Sequence, residues 1–308
     1  MPRIQEPNNE FDNKQTSQTK KKHTQKKHTE NKPPVNVVQE GFIEMPSELL
    51  STQAHPFVYG ENFKIYTRPF RMLEVKRLAQ HGERITDVII DEVMREVVKP
   101  NNDLTYDDLA TADKMNLIFW VRSITYPDPS YKLNYICDNY IDVEEENEYG
   151  EKVKTKKKCS SQNAISIEMD DIDINYLKED LTEEDLTCKL GENTLKFRMP
   201  IIRDSKLVEE NFKALCKSRG SKNVDKELLA TSFLITEING EVPPNIATVY
   251  DILVDTSPAD FVKLNTVFRN LECGVDVSIE TTCSECGGPV KIPVIFFPEF
   301  YVPEYQPE

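Results

Sequence analysis

Between Ser257 and Phe297 the chain spells out a complete small module, and no other stretch restricts its folding as tightly. Ser257 is a favoured helix N-cap, Pro258 suits a first helical position where its missing N–H costs nothing, and Asp260 completes a capping box. Phe261, Leu264, Phe268 and Leu271 recur at helical spacing, and Gly274 is expected to supply a left-handed exit. Val275, Val277 and Ile279 then alternate with Asp276, Ser278 and Glu280, the pattern of a half-buried strand. After Cys283-Ser284-Glu285-Cys286-Gly287-Gly288 a second strand is expected over residues 290–297. The module reads as a C-terminal helix packed with a ribbon-like β-hairpin that carries CxxC at its turn.

Two thiolates two residues apart can face one ion, and the following glycines let backbone amides turn toward the sulfurs. One such pair is half of a tetrahedral site, and no cysteine or histidine follows it. The second pair best placed by sequence is Cys137 with Cys159, which flank a charged segment able to fold back on itself. Cys188, Cys216 and Cys273 sit in ordinary helix or strand context. Three readings stay open. Cys137, Cys159, Cys283 and Cys286 form a structural zinc site; or the turn is a remnant whose cysteines are merely reduced; or the pair is redox-active. The wide separation of Cys137 and Cys159, unlike a knuckle, favours the plain reduced turn. The redox reading is weakest, because a thioredoxin-type motif opens a helix whereas this one joins strands.

The rest of the chain divides by composition. Residues 1–35 hold eight Lys/Arg against four Asp/Glu, contain the echo Lys21-Lys22-His23-Thr24 and Lys26-Lys27-His28-Thr29, and have too few apolar residues to fold; a disordered basic tail is expected. The net charge of the whole is −15, so the remainder is more acidic still and repels phosphate backbones. Residues 36–130 read as a strand-and-helix region. Short strands are expected at 42–45 and 63–66, then a helix with Leu73, Leu78 and Ala79 inward that stops at Gly82, then a helix carrying Ile85, Ile89, Val93 and Val97. Thr105-Tyr106-Asp107-Asp108 is a capping box expected to open a helix running through Leu109, Ala112 and Met115 to Trp120, a core residue.

Residues 131–200 read as β-rich, with a charged insertion at 138–158 that is acidic (Glu144, Glu145, Glu146, Glu148, Glu151) and then basic (Lys152, Lys154, Lys156, Lys157, Lys158), as suits a solvated hairpin. Residues 201–308 read as a helical region ending in the CxxC hairpin and an aromatic, proline-rich tail. Val208, Phe212 and Leu215 form a stripe closed at Gly220, residues 228–238 continue as helix or strand, and 246–254 is a buried helix. The fold class is α+β.

Chemistry-bearing constellations are missing from this pattern. There is no Gly-rich phosphate loop and no His-Glu-x-x-His, and of four histidines His55 and His81 fall where a turn or a helix end would use them. Asp170, Asp171 and Asp173 lack the glycine-bearing spacing of a calcium loop and read as a solvated turn. Seven cysteines with no apolar leader ahead of them point to a reducing, cytosolic setting, and no window approaches a membrane span.

With these residues in hand, the chain resembles the T-even-type phage baseplate hub and hub-assembly family. The likeness rests on Glu44-Met45-Pro46-Ser47 and Tyr66-Thr67-Arg68-Pro69-Phe70 with Glu74 and Leu78, on residues 165–177 followed by Phe197-Arg198-Met199-Pro200, and on Gly274, the CxxC knuckle and Ile295-Phe296-Phe297-Pro298. Such relatives keep a compact cysteine pair after the first strand; here Cys137-Asp138-Asn139-Tyr140 stands instead, with the second cysteine beyond the insertion. The resemblance implies a non-enzymatic structural or chaperone-like protein of contractile-tail baseplate hub assembly. Its partners would be other hub and tail proteins, without membrane or small-molecule substrate, in the host cytoplasm and then the virion baseplate. The rival reading is a zinc-ribbon adaptor that binds nucleic acid or a transcription complex through the basic tail. Residues 296–305 either cover the core or form an aromatic strap for a neighbouring subunit.

Overall fold

The structure, a computed structural model, describes residues 41–80, 87–128, 130–146, 152–167, 172–276, 278–293 and 298–301. All fall in one unit, Val38–Glu308. The fold is α+β: helices packed around several small antiparallel sheets. The expected disorder of residues 1–35 and the helix stop at Gly82 lie outside the described residues, as do Ile85, His81, Asp170 and Asp171.

The N-terminal portion runs β1 (Ile43–Glu44), α1 (Pro56–Tyr59), β2 (Ile65–Thr67), α2 (Met72–Gln80), α3 (Asp87–Val97) and β3 (Val98–Pro100), with β1–β2–β3 in one antiparallel sheet. His55 caps α1, its Nδ1 accepting from Phe57 N at 3.2 Å. In α2 the expectation for the inward face holds at Leu78 but fails at Leu73 and Ala79, which are exposed, while Glu74 is buried. The reason is electrostatic. Arg68, left behind by β2, needs an acidic partner inside, and Glu74 rather than Leu73 lies on the turn that faces it. Helix α3 buries Ile90, Val93, Met94 and Val97, with Ile89 half-buried.

Thr105 and Asp108 do form a capping box, but it closes only the 3-10 turn Tyr106–Asp108. A second such turn, Thr111–Asp113, intervenes before α4 (Lys114–Thr125), so the expected continuous helix from Thr105 is broken. Backbone polar groups explain the break: Thr111 N donates to Pro200 O at 2.9 Å and Ile202 N to Leu109 O at 2.9 Å, bonds a helix would not leave free. Asp113, fully buried, accepts from Tyr59 Oη at 2.6 Å, Thr52 Oγ1 at 2.6 Å and Thr52 N at 3.0 Å, pinning the loop before α1 to the start of α4. Helix α4 buries Leu117, Ile118, Phe119 and Val121; Trp120 is half-buried and donates to Thr67 Oγ1 at 2.8 Å.

Next come β4 (Tyr131–Ile136), β5 (Tyr140–Glu146), β6 (Lys152–Lys158), β7 (Gln162–Ile167) and β8 (Ile174–Asn175). Strands β4 and β7 pair antiparallel, and β5–β6 extends from their end as the expected solvated hairpin, Glu144 opposite Lys154 and Asp142 opposite Lys156.

The remaining elements are β9 (Thr187–Leu190), β10 (Asn193–Phe197), α5 (Asp204–Arg219), α6 (Lys226–Phe233), β11 (Ile235–Ile238), α7 (Ile246–Val254), α8 (Pro258–Asn270), β12 (Gly274–Val275), β13 (Ser278–Thr282), β14 (Pro289–Pro293) and α9 (Pro298–Tyr301). Residues 228–238 thus serve as both helix and strand. The first plan recurs here: β9–β10–β11 is again a three-stranded antiparallel sheet with two helices between its second and third strands. The polar clamps recur too. Arg68 donates to Pro69 O at 3.1 Å and Glu74 Oε1 at 2.8 Å, and Arg198 donates to Met199 O and to both Asp204 oxygens at 2.8 Å. Asn101 exchanges bonds with Lys64 N and O, as Asn239 does with Thr194 N and O. In each half, a strand-end arginine grips the acid six residues on, and an asparagine latches the returning strand.

Ser257 Oγ accepts from Asp260 N at 3.1 Å, as the capping box requires. The exit of α8 differs from expectation: Leu271 caps it in right-handed geometry, and Gly274, at φ +141°, instead begins β12, which pairs with β8. The single strand expected after Gly274 is therefore split, β12 pairing with β8 and β13 with β14. Strand β14 is described to Pro293; residues 294–297 are not. One core gathers α3, α4, Tyr131, Leu133, Ile167, Ile292, Phe300 and Tyr301, and another gathers β9, β10, α7 and α8. Phe300 and Tyr301 lie inside the first core, Arg122 Nε donating to Phe300 O at 2.9 Å, so these two aromatics cover the chain's own interior rather than a neighbour's.

Candidate metal centre

The four cysteines singled out by sequence meet at one point. Strand β4 delivers Cys137, whose N donates to Ser161 O at 3.0 Å; its own carbonyl accepts from Ser160 N at 3.1 Å. Cys159 N donates to Asn139 O at 2.8 Å, closing the base of the β5–β6 hairpin. The charged excursion therefore leaves and returns at one place, which is why residues 22 positions apart in sequence become neighbours.

The other limb is the β13–β14 turn. Cys283 N donates to Gly288 O and Gly287 N to Cys283 O, both at 2.9 Å, with Gly287 at φ +68°. A Cβ at Gly288 would meet Asn139 Nδ2 at 2.7 Å, so a side chain there would have to push aside the amide that joins the two limbs. Asn139 Nδ2 donates to Pro289 O at 3.1 Å, and Ser284 N and Oγ donate to Asn163 Oδ1 at 3.2 and 2.5 Å, stitching the limbs together.

All four Sγ atoms lie within 4.8 Å of one another. Sulfurs meet across the limbs, Cys137 to Cys286 at 3.8 Å and Cys159 to Cys283 at 3.9 Å. Cys137 and Cys283 are buried, Cys159 and Cys286 half-buried. Burial pushes the Cys137 thiol above its usual range, whereas the Cys286 amide and the Ser161 hydroxyl draw Cys283 well below it. Soft, closely grouped sulfur donors of this kind could hold a thiophilic cation.

Cys188 lies in β9, Cys216 in α5 and Cys273 beyond α8; burial pushes the Cys273 thiol up to about 12. The groove beside β9 and α8 presents an ion-paired Lys263 and Asp260 and a Cys188 thiol that burial holds above its usual range, an inert set. The residues that sequence reasoning missed are the polar neighbours of the sulfurs, Asn139, Ser161 and Asn163. The one signal available was their position within a few residues of Cys137 and Cys159.

The chain is an α+β protein of small sheets with internally paired polar clusters and a cross-limb cysteine group. The chain belongs to the T4 bacteriophage base plate protein family, whose model matches residues 51–296. Membership carries a structural role in the phage virion baseplate, among other tail and baseplate proteins. No curated protein and no solved structure matches. Among the described residues, no helix is long and apolar enough to cross a membrane.

Proposed function

We propose that this chain acts in assembly of the baseplate hub, as a hub part or as a helper that positions hub subunits in the host cytoplasm, and that it works without catalysis. The family match across residues 51–296 carries this reading. It is supported by the way the buried polar side chains are used: Asp113, Glu74, Arg68 and Asp204 are engaged with the chain's own groups, which suits bracing rather than turnover. The nucleic-acid adaptor reading draws on residues 1–35, outside the described residues, and the overall acidity weighs against it.

Cross-linking of an affinity-tagged chain in infected cells, followed by mass spectrometry, tests the reading. Cross-links to central hub proteins are expected. Cross-links confined to peripheral baseplate or sheath proteins would overturn the hub assignment while leaving family membership intact.

A further inference from the structure

We propose that Cys137, Cys159, Cys283 and Cys286 bind one zinc ion as four thiolates, clasping the base of the β5–β6 hairpin to the tip of the β13–β14 ribbon. This concerns how the fold is held and does not rest on the hub reading.

The distances carry the argument first. Zinc–sulfur bonds of about 2.3 Å at tetrahedral angles place the sulfurs about 3.8 Å apart. Two cross-limb separations are 3.8 and 3.9 Å, and all four sulfurs stay within 4.8 Å of one another. A disulfide needs sulfurs about 2.0 Å apart. Both short contacts run from one limb to the other, so neither limb owns a site alone.

The neighbours carry it further. Ser161 Oγ lies 3.0 Å from Cys283 Sγ, Asn163 Nδ2 donates to the same sulfur at 3.6 Å, and Asn139 Nδ2 donates to Cys286 Sγ at 3.7 Å. Side-chain N–H groups aimed at sulfur suit thiolates that share a cation, the role that outer hydrogen bonds play around metal ligands. Packing points the same way. The β4–β7 pair and the β13–β14 ribbon send Tyr131, Leu133, Ile167 and Ile292 into the first core, whereas at the cysteine end Asn139, Ser161, Asn163 and Ser284 join them. A closed set of four thiolates favours zinc or iron, and zinc is the ion that closed four-cysteine structural sites ordinarily hold.

Metal content of the full-length chain, purified under reducing conditions without chelator, tests this directly. About one zinc per chain is expected. Replacing zinc with cobalt(II) should give the sulfur-to-cobalt charge-transfer band and the intense visible bands of a tetrahedral thiolate site. Removing zinc from the wild-type chain with a chelator should open Cys137, Cys159, Cys283 and Cys286 to alkylation together, a readout that survives even if substitutions misfold. Cys159→Ser and Cys286→Ser should each weaken zinc retention at least about tenfold. Four results would each overturn the proposal: no zinc and no cobalt uptake, iron in its place, disulfides among these cysteines, or full zinc retention in Cys159→Ser or Cys286→Ser.

Discussion

Glu74 holds three things at once: the Arg68 guanidinium at 2.8 Å, the Arg71 amide at 2.6 Å and thereby the start of α2. Arg68 is itself buried, so Glu74→Gln leaves a charge without its counter-ion and should cost about 3–5 kcal/mol in urea denaturation at pH 7. Asp204→Asn should cost less, because Arg198 keeps 31% of its side chain exposed to water. Burial alone would raise the Glu74 carboxyl, but Arg68 and the Arg71 amide outweigh it and hold the group below its usual range. This stabilisation is complete above the unfolded carboxyl's value of about 4.3 and is lost as pH falls through the lower folded value. The gap between wild type and Glu74→Gln should therefore shrink below about pH 4. Asp113 acts in the opposite sense, since burial raises its carboxyl and acid relieves the cost of burying its charge. None of this was legible from apolar periodicity, which put Leu73 inside and ignored Glu74. The readable clue was charge spacing, an arginine at a strand end with an acid six residues on, present at Arg68 and again at Arg198.

Helix α8 was legible because its signals are local: a cap, a proline at the first position and a stripe. Ser257→Ala should lower stability by about 1 kcal/mol, seen as a reduced Tm, through loss of the bond to Asp260 N. The Thr105 capping box misled because a cap fixes where a turn begins and not how far the helix runs; the segment at 200–202, remote in sequence, ended it. The β5–β6 hairpin was legible from its charge blocks, and its register gives the reason: Asp142, Glu144 and Glu146 face Lys156, Lys154 and Lys152. Exposed pairs of this kind contribute about 0.2–1 kcal/mol each. Replacing all three lysines by glutamate sets like charges opposite each other. Hydrogen exchange should then show lost protection across β5 and β6, with the protection of α4 unchanged.

At the scale of the molecule, two sheets with the same plan are each followed by helices that bury a core, and residues near the C-terminus complete the first of these cores. Phe300→Ala should cost about 3–5 kcal/mol in thermal or urea unfolding, since the ring is fully buried. An aromatic serving only a neighbour would cost the isolated chain nothing. Long-range pairings such as β8 with β12, and the repetition of the clamps, were hidden because sequence patterns report local periodicity and not which distant strands meet. The convergence of Cys137 and Cys159 was readable for the contrary reason, the two flanking a segment that folds back on itself. The proposed role is a contribution to the virion by shape and contact during hub building. A stop codon in its gene, in the phage that carries it, with tails examined by electron microscopy, measures this most directly. Baseplates and contractile tails are expected to fail to form, and the wild-type chain supplied in trans to restore them. Intact, infectious particles in the absence of the chain would contradict it.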